Sequence, residues 1–179
     1  MTLSPFNRLS AEPGRAGLDL PDFSIFDAED LRRDDREIDT LLSYFEARTE
    51  GKRLPKRADV DPAKLKAFLP DICIHRALYG EDGTLKDIVV QLIGTEVASF
   101  YGEMTGKSVR EHPAPEVAQR IFISGQTCID RRRPIVAIAK ALSSKKNHLQ
   151  VNILYIPLSE DGEQIDRLFL LVRVRGRGL

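Results

Sequence analysis

A chain of 179 residues, 42% of them hydrophobic, is long enough for one domain with a sizeable core and an appended arm. Its 27 basic and 27 acidic side chains cancel to a net charge of +0, which argues against a dedicated nucleic-acid binder, whose footprint is a basic excess. No apolar run approaches the roughly 20 residues of a membrane-spanning helix, the opening MTLSPFNRLSAEPGRAGLDLP lacks the basic-then-apolar order of a signal peptide, and Cys73 and Cys128 make no disulfide framework, so a reduced, cytoplasmic protein is the expectation.

Residues 1–33 read as a flexible or loosely docked arm, since they mix Ser, Pro, Gly and charged residues without periodicity. The pattern changes at Asp34. In DDREIDTLLSYFEART, Ile38, Leu41, Leu42 and Phe45 fall at i, i+3, i+4 and i+7, one apolar face of a helix over 34–51 with acidic residues at its start. Residues 52–179 form the main domain. Prolines 55, 62 and 70 bracket a short helix from Pro62 to Phe68, which Asp61 can cap. The period then becomes two. DICIHRALY and LKDIVVQLIG are strands joined by the hairpin signal GEDG. TEVASFYGEM reads as a short helix, and Pro115 to Arg132 as a longer one with Val117, Ile121 and Cys128 on its apolar face. PIVAIAKAL, LQVNILYIPL and IDRLFLLVRV are three more strands, separated by the polar SSKKNH and SEDGEQ.

TGKS, Thr105 to Ser108, resembles the end of a phosphate-binding loop. That loop needs a glycine four spacers before Gly-Lys-Ser, and Tyr101 stands there, with Gly102 one residue too close. The segment follows a helix rather than a strand, and His112-Pro113-Ala114-Pro115 prevents an immediate helix after it. A glycine-containing turn is expected, without nucleotide binding.

Five strands with helices between the second and third imply one antiparallel sheet, in the spatial order 2-1-5-4-3. In the last strand Leu168, Leu170, Val172 and Val174 share one face, and Arg167, Phe169, Leu171 and Arg173 the other. Both faces are partly apolar, so both need cover. The helix bearing Ile38, Leu41, Leu42 and Phe45 is expected over Leu154, Ile156, Phe169 and Leu171. These eight residues are the candidate interface, within one chain or across a homodimer; Phe26 and Leu31 extend the apolar content upstream and favour the dimer.

Three segments carry a family resemblance. LPKRADVDPAKLKAFLPDICI contributes Leu54, Pro55, Arg57, Asp59, Asp61, Pro62, Leu69 and Pro70; QLIGTEVASFYGEMTGKSV contributes Leu92, Gly94, Thr95, Tyr101, Gly102, Thr105 and Gly106; YIPLSEDGEQID contributes Pro157, Leu158, Ser159, Asp161 and Gly162, with Ile156 in place of the usual Leu. In this order they resemble a family of small bacterial PAS proteins best known from alphaproteobacteria, over about Ile38 to Val174. The resemblance implies an α+β, PAS-like fold: a five-stranded antiparallel sheet with helices on one face and the N-terminal amphipathic helix on the other. It implies a sensory or interaction module, not an enzyme, and supplies no catalytic residues.

Haem-binding PAS domains usually carry a histidine on the long helix, and Pro115 to Arg132 has none. Cys128, in TCID, does not match the flavin photoreceptor motif. His75, His112 and His148 are scattered, so no metal site and no cofactor are expected. DRRRP reads as the solvated C-terminus of a helix. A small-molecule pocket between sheet and helices would be lined by Leu92, Val97, Phe100, Tyr101, Met104, Phe122, Ile153 and Tyr155, with Tyr101 and Tyr155 as polar handles; the alternative is a core filled by these side chains. Two functions follow: a cytoplasmic sensor that binds a small molecule and acts through a protein partner, or a ligand-free protein–protein adaptor. Neither involves nucleic acid or membrane.

Overall fold

The computed structural model describes residues 22–140 and 149–176. The residues before Asp22, the whole SSKKNH connection with His148, and residues 177–179 lie outside them. In chain order the main elements are β1 (Phe23–Asp27), α1 (Ala28–Leu31), α2 (Arg36–Thr49), β2 (Ile72–Tyr79), β3 (Leu85–Ile93), α3 (Thr95–Tyr101), α4 (Pro115–Arg131), β4 (Ile135–Lys140), β5 (Leu149–Leu158) and β6 (Arg167–Gly176). The strands form one sheet in the order β1-β4-β5-β6-β2-β3, with every neighbouring pair antiparallel.

The five strands read from the sequence stand in the expected spatial order, and β1 makes a sixth. Its residues fall inside the span 1–33 read as an arm. Phe23 pairs with Ala139 and Asp27 with Ile135 along β4, and the Ala28 amide donates to the Pro134 carbonyl at 3.0 Å. Five residues are too few to establish a period, and FSIFD sits between a proline and an acidic turn; only the exposed edge of β4 identifies it as a strand. The short helix expected over Pro62–Phe68 is instead a run of turns leading into a 3-10 segment over Lys66–Asp71. Asp61 still accepts the Ala63 amide (3.0 Å), but Pro70 interrupts helical hydrogen bonding.

α2 begins where Asp35 accepts hydrogen bonds from the Glu37 and Ile38 amides (3.0 and 3.2 Å). It ends at Glu50 and Gly51, both at positive φ. Its apolar stripe lies on the outer sheet face. Ile38, Leu41, Leu42 and Phe45 join Leu154, Ile156, Phe169 and Leu171 in one cluster, and the Phe45 and Phe169 rings meet edge to face at 5.2 Å. All eight are at most 5% exposed. The stripe and its target are therefore packed against each other within one chain. Polar ties fix the helix further: Arg173 bonds Glu37 (2.6 Å) and Asp71, and Arg175 bonds Asp35 (3.1 Å).

The opposite, inner face carries Val151, Ile153, Tyr155, Leu168, Leu170 and Val172, covered by α3, α4 and the segment between them. Gly94 opens α3 at a close approach: a Cβ there would stand 2.3 Å from the Pro70 carbonyl oxygen. Only glycine fits, so the turn from β3 into α3 stays tight.

Candidate ligand cavity

The inner face is not filled. A cavity of about 200 Å³ lies between β1, β4 and β5 on one side and α3 and α4 on the other, with Phe23, Phe100, Val117, Ile121, Ile153 and Tyr155 among its lining residues. A smaller one of about 40 Å³ sits deeper in the fold, lined by Cys73, His75, Val97, Met104 and Leu170 among others. Tyr101, His112, Ile121, Ile153 and Tyr155 line both.

Of the eight residues expected to line a pocket, Val97, Phe100, Tyr101, Met104, Ile153 and Tyr155 do so. Leu92 does not; it is 41% exposed. A register shift explains this: His75 pairs with Val90 and Ile74 with Leu92, so Gln91 is an extra residue in β3. The bulge reverses the alternation, and Ile93 takes the inward place. Phe122 also stands apart, beneath the Arg110 guanidinium at 4.1 Å. Its neighbour Ile121 takes the cavity face of α4.

His75, His112, Arg120 and Ser124 are lining residues that the sequence reading did not select. Two had a signal. Cys73, His75 and Ala77 share the inward phase of β2. Val117, Ile121, Ser124 and Cys128 share one helical stripe that also includes Arg120.

The polar groups here divide into satisfied and unsatisfied ones. His112 is satisfied: its Nδ1 accepts the Ala114 amide (3.1 Å), so Nε2 carries the proton and donates to the Tyr101 carbonyl (3.2 Å). Ser124 donates to the Arg120 carbonyl (2.8 Å), and Arg120 to the Lys140 carbonyl (2.9 Å). In contrast, the Tyr155 hydroxyl and His75 Nδ1 are buried with no hydrogen-bond partner. The Ser124 hydroxyl acts on the Tyr155 phenol and opposes the effect of burial on it. An unpaired buried polar atom costs roughly 1–3 kcal/mol.

Burial sets the protonation states. It raises Tyr101 and Tyr155 far above the ordinary phenol range, so both hydroxyls keep their protons. It lowers His75 to about 4, leaving a neutral ring. Cys73 is pushed up to about 12 and Cys128 higher still, so both stay thiols, poor nucleophiles and poor metal ligands. Among the described residues no group of three or more His, Cys, Asp or Glu could hold a metal ion, and no helix is long and apolar enough to cross a membrane.

The TGKS segment is an edge turn. Its Gly106 amide donates to the Val90 carbonyl (2.8 Å), the Lys107 amide to Met104 (2.9 Å) and the Ser108 amide to the Glu111 carboxylate (2.7 Å). The amides that would wrap a phosphate are already engaged.

The three sequence segments implied a five-stranded antiparallel sheet with helices on one face and α2 on the other, and the chain has that arrangement with β1 as a sixth strand. A family model described as PAS domain matches residues 33–172. The chain belongs to the PAS-domain family. No curated protein matches it. PAS domains are generally sensory modules rather than enzymes, and the cavity lies on the helical side of this PAS sheet. The family match begins after β1, so Phe23 brings to the PAS cavity a wall residue from outside the matched span.

Proposed function

We propose that this PAS domain is a cytoplasmic sensor that binds a small molecule in the inner cavity and passes the response to a protein partner. The carrying observation is the 200 Å³ cavity with the unpartnered Tyr155 hydroxyl in its wall. A cavity of roughly 150 Å³ accommodates a benzene molecule, so this one suits a ligand of about ten heavy atoms and is far too small for haem or flavin. Two free, buried thiols fit a reducing compartment. Self-association through the α2 stripe is not part of this reading, because that stripe covers its own sheet.

The test is native mass spectrometry of the intact chain purified from cells. A retained small molecule of mass below about 250 Da is expected, in keeping with the cavity volume. A chain that carries none, and whose melting temperature no compound of that size raises, would favour the ligand-free adaptor. That second reading has its own support in the deeper cavity, of which only about 40 Å³ is left between core side chains.

A further inference from the structure

The deeper cavity has a wall without formal charge: among the described residues that line it, none is Asp, Glu, Lys or Arg. His75 on β2 is one of its lining residues and is only 5% exposed. Its neighbours across the sheet are Val90 on β3 and Leu168 on β6, both buried and apolar. Cys73 and Ala77 stand two residues away on its own strand. None of these offers a polar partner in the plane of the ring, and His75 Nδ1 makes no hydrogen bond. Burial alone lowers the pKa of this histidine, with no neighbouring charge contributing, so the imidazole is neutral at pH 7. The space beside it, about 40 Å³, exceeds the roughly 10–15 Å³ that one water-sized group needs. It adjoins the 200 Å³ cavity, with which it shares Tyr101, Ile121, Ile153 and Tyr155 as wall residues.

Resting on the inner cavity as the ligand site, we infer that the ligand is an uncharged phenol- or alcohol-type molecule whose hydroxyl enters the deeper cavity and hydrogen-bonds His75 Nδ1, with its apolar body in the larger cavity. A hydroxyl suits either form of the neutral ring: it donates to a bare Nδ1 and accepts from a protonated one. An ether or ketone oxygen can only accept. A carboxylate or phosphate would bring its charge into a wall that holds no counter-charge, which is far more costly than an unpaired neutral group. The single heavy atom of a hydroxyl also matches the small volume, whereas Phe100 and Ile121 give the apolar body a surface to pack on.

The experiment is an NMR titration of the full chain, with its histidines labelled with nitrogen-15, using phenol, toluene and benzoate at neutral pH and repeated with phenol and toluene on His75→Leu. Phenol is expected to shift the His75 ring-nitrogen signals, and toluene and benzoate to leave them in place. The ratio of phenol affinity to toluene affinity is expected to fall about fivefold in His75→Leu, the worth of one neutral hydrogen bond; using the ratio cancels the difference in hydrophobicity between the two probes. Binding of phenol and toluene with an unmoved His75, or an unchanged ratio in the variant, overturns the hydroxyl site and leaves the cavity reading standing. A benzoate shift as large as that of phenol overturns the uncharged head group. Failure of all three probes to bind overturns both this inference and the cavity reading. Should His75→Leu lose its dispersed spectrum, the ring-nitrogen shift of the native chain under phenol against toluene decides, and equal shifts overturn the hydroxyl site.

Discussion

The outer face of the sheet is closed by α2, whose Ile38, Leu41, Leu42 and Phe45 meet Leu154, Ile156, Phe169 and Leu171 in one cluster, whereas the inner face, under α3 and α4, keeps a cavity. Both faces come from alternate residues of the same strands, β5 and β6. The polar groups differ more than the apolar ones. On the α2 side the Tyr44 hydroxyl donates to the Asp59 carbonyl (2.5 Å) and accepts the Asp61 amide (3.0 Å). On the inner side the Tyr155 hydroxyl makes neither kind of bond. A groove of about 310 Å³ does run along the C-terminal end of α2, but its charged groups are paired: Arg53 with Asp59 (2.7 Å) and Glu46 with Arg32 (2.6 Å). Volume alone therefore does not separate the two faces. The buried polar atoms do: Tyr44 is bonded twice on the outer side, whereas His75 Nδ1 and the Tyr155 hydroxyl have no partner on the inner side.

The comparison breaks most severely if α2 is removed. Deleting residues 1–51 exposes Leu154, Ile156, Phe169 and Leu171 together and also removes β1. Each such side chain contributes roughly 1.5–3 kcal/mol when buried, so the loss exceeds the 5–15 kcal/mol of a typical domain's stability once the helix's own residues are included. The truncated chain is expected to show no cooperative thermal transition. A soluble truncation with a sharp transition would mean that the outer face does not hold the fold.

A single substitution sharpens the same point. Leu41 is fully buried in the outer cluster, and Leu41→Ala is expected to cost about 2–5 kcal/mol in urea unfolding. Ile121→Ala, at the half-buried cavity wall, is expected to cost less, because the space it leaves adjoins space that already exists. Equal losses would show that the two faces are equally well packed.

Much of this contrast could be read before the structure. The i, i+3, i+4, i+7 stripe located α2 and its target, since a period of 3.6 meeting a period of two leaves few ways to bury eight apolar side chains. Residue 92 was misread because a bulge is invisible to strict alternation: Gln91 is an extra residue only relative to its partner strand. β1 was missed because its evidence is the open edge of β4, more than 100 residues away in sequence. Arg120 was overlooked because a charged residue on a helix is usually solvated; its phase with Val117, Ile121 and Ser124 places it inside. His75 lay in the inward phase of its strand, and that phase was legible.

His75 gives the next effect. Its pKa falls from 6.5 to about 4 on burial. As the pH drops, the unfolded chain binds the proton first, so the stability that the neutral ring contributes is present above about pH 6.5 and is lost as the pH falls towards 4. Urea midpoints are expected to record a loss of roughly 2 kcal/mol between pH 7 and pH 5 that His75→Leu no longer shows. An identical pH dependence in the variant would place His75 in contact with water.

The most direct test of the contrast compares Tyr44→Phe with Tyr155→Phe. Each removes one oxygen atom and nothing else. Tyr44→Phe breaks two hydrogen bonds and is expected to destabilise the chain by about 1–2 kcal/mol. Tyr155→Phe removes a buried hydroxyl that has no partner, so its unfolding free energy in the ligand-free chain is expected to stay the same or rise by about 1 kcal/mol. A loss for Tyr155→Phe equal to that for Tyr44→Phe would show that the inner hydroxyl is already satisfied, and would contradict the claim that the inner face keeps an open polar pole for a ligand.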